Sequence, residues 1–406
     1  MVALTVKHSL VIKSASSRIE TTRLKRGAEA IRYTKGLIRI PVTTASRSYE
    51  VLVERGLLGE AARVVEKAVP RCTRVCVVTS KPIRKLWGKT LEKGLRGLAA
   101  KARFFEMPDG ERAKRLGNLE RLAEELVSHN ADRQSIVIAL GGGVVGDVGG
   151  FLASLFMRGI PVVQIPTTLV AQVDSAIGGK TGVNLINGKN LLGTFHQPTC
   201  VLVDPDVLAT LPEREYRSGL FEAMKYGVIR NPGIFELMEK QRDALIARDS
   251  KLLEKLIADC IRVKADVVSR DERESGERRI LNFGHTIGHA LEAETGYKSL
   301  LHGEAVGWGM IAAASIGEEM SVSDKRTAQR ITALVTAYGP LPKLKVKPGR
   351  ILKRLMSDKK TVDGVPHFVL ARSIGEVEIA NDVPRSGIFQ AVRKLNELAA
   401  RKWPTN

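Results

Sequence analysis

The chain has 406 residues, 44% hydrophobic and 5% aromatic, with 64 Lys and Arg against 44 Asp and Glu, a formal charge of +20. That length is enough for two domains with their own cores, and without an unbroken apolar run of about 18 residues no transmembrane helix and no membrane partner are expected. The charge admits nucleic acid, an anionic membrane surface or an acidic small molecule as partner, but the few aromatics argue against a stacking platform for single strands, and no zinc-finger, RNA-recognition or basic-zipper pattern occurs, so no nucleic acid is expected and a solvated basic surface is the plainer reading.

The first 36 residues carry Lys7, Lys13, Arg18, Arg23, Lys25, Arg26, Arg32 and Lys35 against only Glu20 and Glu29. They lack the apolar stretch of a secretory signal and read as an organellar transit segment or a disordered basic extension, set here at residues 1–40. Cys72, Cys76, Cys200 and Cys260 are scattered, without the second close pair that a metal knuckle needs, which fits a reduced, cytoplasmic protein.

From residue 48 to 206 strands and helices alternate. Residues 75–79 form a short apolar strand. Residues 116–129 have helical spacing, with Leu119, Leu122 and Leu126 on one face. Residues 135–140 form a strand running into glycines, and 161–166 and 201–204 two more. Strands separated by helical patterns predict a parallel sheet with ligands at its carboxyl ends. After Pro205 the pattern turns helical, over 213–228, 232–248, 250–268, 286–295, 304–320, 323–338 and 388–402. Asp363-Gly364 between apolar segments predicts a small hairpin. The expected fold class is an α/β amino-terminal nucleotide-binding domain with a parallel sheet, residues 41–206, followed by a mostly α-helical carboxyl-terminal domain, residues 207–402.

Four groups of residues suggest chemistry. The turn Gly141-Gly142-Gly143-Val144-Val145-Gly146-Asp147 fits G-x-G-x-x-G at Gly141, Gly143 and Gly146, and such glycines let backbone approach a pyrophosphate at the amino end of the next helix. The carboxylate expected about 20 residues on is missing from 164–169, so a structural tight turn explains the pattern equally well. Gly178-Gly179-Lys180-Thr181-Gly182 and Gly188-Lys189-Asn190 place cations beside flexible backbone, which suits phosphate although the Walker spacing is absent; a solvated loop is the alternative. Glu222, His285 and His302 can be combined into a carboxylate and two imidazoles, a common set for catalytic zinc with one open position. His289 shares a helix face with His285, four residues earlier, so spacing alone makes it a ligand candidate too, against a capping or core histidine. Arg278 and Arg279, after the charge cluster of residues 270–274, read as an exposed face, as does Asp358-Lys359-Lys360.

Taken in order, the motifs resemble those of the 3-dehydroquinate synthase family, from about residue 48 to 385. They are Asp109-Gly-Glu111-x-x-Lys114, Gly141 to Asp147, Pro166-Thr167-Thr168-Leu, Asp174 to Asn184, Gly188-Lys189-Asn190-Leu-Leu-Gly, Glu222-Ala-Met-Lys225-Tyr-Gly, Asn282-Phe-Gly-His285-Thr-Ile-Gly-His289, His302-Gly-Glu-Ala-Val and Asp358-Lys359-Lys360. The resemblance implies a two-domain enzyme of the shikimate pathway, a homodimer that uses catalytic NAD and one divalent metal, zinc or cobalt. It implies conversion of the phosphorylated sugar acid 3-deoxy-D-arabino-heptulosonate 7-phosphate into 3-dehydroquinate and phosphate, through oxidation, phosphate elimination, re-reduction, ring opening and aldol closure.

By the same resemblance the metal falls to Glu222, His285 and His302, and His289 to the leaving phosphate. Lys180, Asn190 and Lys359 (or Lys360) would hold that phosphate, with Arg158 reaching it from the neighbouring subunit. Lys264 and Arg278 would take the substrate carboxylate, and Asp174, Lys225 and Asn282 the ring hydroxyls. The cofactor would meet Gly141, Gly142, Gly143 and Gly146 at its pyrophosphate. Asp147, with Thr167 and Thr168, would lie toward the nicotinamide, and Asp109, Glu111 and Lys114 on the adenosine side, with Lys180 and Lys189 also at the cofactor. Many relatives carry an acid for the adenosine ribose where this chain reads Thr79-Ser80-Lys81, and Ala is usual where it has Phe221. An amino-dehydroquinate-type cyclase and a metal-dependent polyol dehydrogenase are the competing readings. The pair Lys264 and Arg278 disfavours cyclases whose substrates lack a carboxylate.

Overall fold

The computed structural model describes residues 36–186, 188–357 and 366–401. The sheet begins earlier than the sequence suggested: β1 (Ile38–Thr43) and β2 (Ser48–Val53) pair as an antiparallel hairpin. Ile38, Ile40 and Val42 point inward while Arg39, Pro41 and Thr43 point out, the two-residue period of a half-buried strand. Pro41 is tolerated because β1 lies at the sheet edge, where a missing N–H leaves no ladder bond unmade. Residues 38–40 are therefore strand, and residues 1–35 of the basic extension lie outside the described residues.

The other strands of this sheet are β3 (Val75–Ser80), β4 (Ala102–Met107), β5 (Ile136–Gly141), β6 (Val162–Pro166) and, after a separate hairpin of β7 (Lys180–Leu185) and β8 (Gly188–Phe195), β9 (Cys200–Val203). The order is β1-β2-β9-β6-β5-β3-β4, parallel at every pairing except β1 with β2. From β3 the chain first adds β4 on one side and then β5 on the other. That reversal opens a crevice at the carboxyl ends of β3 and β5, the switch point at which such sheets bind ligands.

β3 and β5 are buried along their whole length. Alternate residues feed the two faces: Cys76, Val78, Val137 and Ala139 join one apolar cluster, and Val75, Val77, Ile136, Ile138 and Leu140 the other. Burial on both faces is why these strands read as continuous apolar runs. A third cluster runs from Ile38, Val51 and Val201 straight into the helices that follow.

Those helices are Glu213–Ile229, Pro232–Lys240, Arg242–Ile246, Ser250–Arg270, His285–Glu294, His302–Glu319, Lys325–Ala337, Pro348–Ser357 and Arg385–Ala400. The helix expected over 232–248 breaks at Gln241, and Pro348–Ser357 was not anticipated from the sequence. Several starts are capped as their sequences require: Asn231 Oδ1 accepts from Gly233 N–H with Pro232 at the first turn, and Asp249 accepts from Lys251 and Leu252. A carboxyl-terminal hairpin exists as β10 (Phe368–Ser373) and β11 (Glu376–Ala380). It turns at Ile374-Gly375, with Gly375 at φ 98°, and not at Asp363-Gly364, which lie outside the described residues.

Candidate active site

Three helices deliver the carboxylate and imidazoles. Glu222 lies midway along Glu213–Ile229, and His285 and His302 are each the first residue of their helix. Helix His285–Glu294 can start there because Gly284 takes φ 78°, with Met310 and the Val306 carbonyl packed where a side chain would be. His285 Nδ1–H donates to the Phe283 carbonyl at 3.1 Å, and His302 Nδ1–H to Glu292 at 3.3 Å. Each bond leaves Nε2 as the nitrogen facing Glu222. The two Nε2 atoms lie 3.5 and 3.2 Å from Glu222 Oε1.

Glu222 is fully buried, and neither carboxylate oxygen has a hydrogen-bond partner of good geometry, although Lys225 Nζ stands 2.7 Å from Oε2. Burying a carboxylate costs several kcal/mol, and here Lys225 Nζ and the two imidazoles are set against it; a carboxylate beside two imidazoles is a ligand set that fits a divalent cation. The ring nitrogens of His285, His289 and His302 also converge within 4.8 Å of one another, and the His289 ring stacks on His302 at 5.8 Å between centroids. The structure thus gathers both ligand sets that the sequence left open.

Burial would raise the Glu222 carboxyl, but Lys225, His285 and His302 hold it well below its usual range. Burial pulls His285 down to about 4. It opposes charge on His302 as well, yet Glu222 and Glu292 outweigh it and push that imidazole up to about 10. Cation binding at His302 must therefore displace a tightly held proton.

Beside this cluster, Asp174 Oδ1 accepts from Lys264 Nζ at 2.7 Å and from the Tyr226 hydroxyl at 2.7 Å, with Lys225 Nζ at 3.5 Å. Burial opposes its charge, but Lys225 and Lys264 keep the carboxyl ionised far below its normal range. Lys225 is raised because Asp174 and Glu222 together outweigh its burial. Lys264 falls to about 8: burial lowers it most, and Asp174 restores only part against Arg278 and Lys225.

Arg278 is 1% exposed, so it belongs to no surface face. Its guanidinium donates to the carbonyls of Glu272 and Gly178, the latter at 3.1 Å. Glu274, from the cluster expected to be plain surface, folds inward at φ 61° and engages Lys180 and Asn282 Nδ2, the latter at 2.7 Å.

At the switch point, helix Gly143–Leu155 starts from Gly142. Thr167 N–H donates to the Gly141 carbonyl at 2.9 Å, and Thr168 packs where a Gly142 side chain would be. Gly146 faces Gln164 equally closely. The buried hydroxyls of Ser80 and Thr167, at the ends of β3 and β6, have no hydrogen-bond partner, which leaves them available to a ligand in the crevice. Lys114, placed by resemblance on the adenosine side with Glu111, sets its ammonium on Asp147 and Asn190. Glu111 joins them through Asn184, whose amide donates to Glu111 Oε1 at 2.7 Å and whose Oδ1 accepts Asn190 N–H at 2.8 Å. Asn190 holds φ 55° there. Lys189 pairs with Glu292 at 3.2 Å. Asp109 and Arg158 are exposed, and Lys359 and Lys360 lie outside the described residues.

Four residues of this network, Tyr226, Glu274, Glu292 and Asn184, were given no role from the sequence. Tyr226 and Asn184 lay inside recognised motifs and Glu292 shares a helix face with His285, whereas Glu274 offered no signal.

A nucleotide-type crevice beside a buried carboxylate–imidazole cluster places the chain among the sugar phosphate cyclases in architecture. The 2-epi-5-epi-valiolone synthase from Streptomyces hygroscopicus subsp. jinggangensis, with NAD+ and Zn2+ bound, matches with a TM-score of 0.80 at 30% identity, covering 87% of this chain and 98% of that one. A 2-deoxy-scyllo-inosose synthase complexed with carbaglucose-6-phosphate, NAD+ and Co2+ matches at 0.79 and 28%, covering 88% and 100%. Sequence narrows this further. The 3-dehydroquinate synthase N-terminal family model matches residues 104–218 and the C-terminal one residues 219–361. A 3-dehydroquinate synthase of Koribacter versatilis is 56% identical over 361 residues, 89% of this chain and 99% of the relative. The chain belongs to the 3-dehydroquinate synthase family.

Proposed function

We propose that this site converts 3-deoxy-D-arabino-heptulosonate 7-phosphate into 3-dehydroquinate and phosphate, as a phosphate-eliminating carbon–oxygen lyase that uses NAD and one divalent metal, zinc or cobalt. The observation that carries the reading is the fully buried Glu222 carboxylate with Nε2 of both His285 and His302 set against its Oε1. Glu222, His285 and His302 would hold the metal, and the crevice from Gly141 to Asp147 with Thr167 and Thr168 would hold NAD. When bound, these groups supply Lewis acidity to a hydroxyl and a reversible hydride acceptor.

The chain's own residues bind and orient. Lys264 and Arg278 present cations for a carboxylate, Arg as a planar fork. Asp174 and Lys225, poised as an ionised pair, take ring hydroxyls together with Asn282. Lys180, Asn190 and His289 would hold the phosphate. Lys180 and Asn282 already engage the Glu274 carboxylate, so their positions suit an anion and a polar oxygen.

A homodimer in which Arg158 completes the neighbouring site accords with the surface around that residue. Helix Gly143–Leu155 packs on the β7–β8 hairpin, and Leu155, Met157, Leu191, Leu192 and Phe195 of this region are exposed. No described helix is long and apolar enough to cross a membrane, and a cytoplasmic setting is part of the proposal.

The test is phosphate release from the seven-carbon substrate with catalytic NAD, with and without chelator. Release far exceeding the NAD supplied, lost with chelator and restored by zinc, supports the reading. Stoichiometric reduced cofactor from simple polyols without phosphate release would replace it with a dehydrogenase.

A further inference from the structure

His285, His289 and Glu292 occupy one face of a single helix, at spacings of four and three residues. The first two imidazoles are already part of the cluster, but Glu292 has been given no task. It is 5% exposed, and both its oxygens are engaged: Oε2 accepts His302 Nδ1–H at 3.3 Å, and Oε1 meets Lys189 Nζ at 3.2 Å. His302 belongs to the next helix and Lys189 to the β8 strand of the hairpin. One buried carboxylate therefore ties together the helix of His285, the helix of His302 and the hairpin that carries Lys189 and Asn190.

We propose that Glu292 is a positioning residue: it fixes the tautomer and direction of His302 so that Nε2 faces Glu222, and it anchors Lys189 in the same stroke. The inference rests on the metal reading above. His302 starts its helix and is only half-buried, so packing alone does not fix its ring. The bond from Nδ1–H to Glu292 does. An outer carboxylate on a ligating imidazole also raises its basicity, and removing such partners typically weakens metal affinity about 10- to 100-fold. Lys189 lies 4.1 Å from the centre of the Tyr297 ring as well, so losing Glu292 loosens the hairpin side without freeing it entirely.

The experiment compares wild type, Glu292→Gln and Glu292→Ala, each confirmed folded by circular dichroism. Zinc affinity is measured by competition with a chromophoric chelator, and the cobalt-substituted proteins by visible absorption. Glu292→Ala is expected to bind zinc about 10- to 100-fold more weakly, with a shifted cobalt spectrum. Glu292→Gln should lose less, because its amide oxygen still accepts from Nδ1. A merely structural role would lower thermal stability and leave both readouts alone. Zinc affinity within about twofold of wild type in both folded variants, with unchanged cobalt bands, overturns the proposal. Failure of the wild-type protein itself to bind zinc or cobalt overturns the metal reading beneath it, and is distinguishable because no variant is needed to see it.

Discussion

A Cβ on Gly303 would lie 1.8 Å from the Ser218 carbonyl oxygen. The helix that starts at His302 thus crosses the helix of Glu222 with backbone against backbone, and Gly303 N–H donates to Ser218 Oγ at 3.0 Å. This approach is what sets His302 within reach of Glu222. Gly309 repeats it against the Gly284 carbonyl, also at 1.8 Å, which brings in the helix of His285. Gly303→Ala must push the two helices apart, at a cost of about 1 to 3 kcal/mol. The expected outcome is a protein with a lowered thermal midpoint that no longer retains zinc through gel filtration. A folded G303A with wild-type zinc content would show that the ligand geometry tolerates a wider crossing.

Much of this arrangement could be read from the sequence, and the rest was hidden for identifiable reasons. β3 and β5 stood out because burial on both faces makes them continuous apolar runs. Glu222, His285 and His302 stood out because so few histidines sit among glycines. The β1–β2 hairpin was obscured by Pro41 and by the Ser- and Thr-rich turn after it, which break the look of a strand. Glu274 and Arg278 were hidden by their company, since a run of alternating charges normally marks solvent. They turn inward because Asp271 accepts the backbone N–H groups of Ser275, Gly276 and Arg278, a loop closure that no pattern of residue types announces. The same holds for Tyr226, which lay inside a recognised motif but whose partner, Asp174, is 52 residues away in the chain.

Tyr226 gives a direct test of how Asp174 is held. Its hydroxyl lies 2.7 Å from Asp174 Oδ1 and 2.9 Å from the Val173 carbonyl, in a fully buried position. Tyr226→Phe keeps the ring packing and deletes one donor to a charged acceptor, a loss of about 1.5 to 3 kcal/mol of stability. The catalytic efficiency should fall about tenfold, equivalent to about 1.4 kcal/mol, because Asp174 is then oriented by lysines alone. Steady-state kinetics with a melting curve separate the two effects. Lower stability with unchanged kcat/KM would mean that Lys264 and Lys225 suffice.

Lys81 bears on cofactor choice. It follows β3 directly, is exposed, and stands at the switch point beside the unpartnered Ser80 hydroxyl. An acid at such a position accepts the ribose 2′-hydroxyl and repels a 2′-phosphate, whereas a cation favours the phosphate. NADP should therefore support phosphate release within about tenfold of NAD, a gap of about 1.4 kcal/mol. Lys81→Asp should widen the preference for NAD by about another tenfold. Initial rates with each cofactor check this, and a wild-type preference beyond about a thousandfold, unchanged in K81D, would place the ribose away from Lys81.

The alkaline limb of activity should belong to Lys264. Its ammonium, lowered chiefly by burial to about 8 from an ordinary 10.5, must be charged to hold a substrate carboxylate. The kcat/KM profile, which reports free enzyme, should fall as pH rises through about 8. A bound carboxylate favours the protonated form, so the limb in kcat should sit at higher pH. Unfolding would have the opposite sign. Between about 8 and 10.5 the unfolded chain keeps a proton that the folded one has released, so this group makes the fold more stable as pH rises across that window. Loss of activity there with undiminished thermal stability identifies deprotonation. Lys264→Arg, which stays charged, should carry the kcat/KM limb upward. A limb that stays near pH 8 in the folded K264R would assign it to another group.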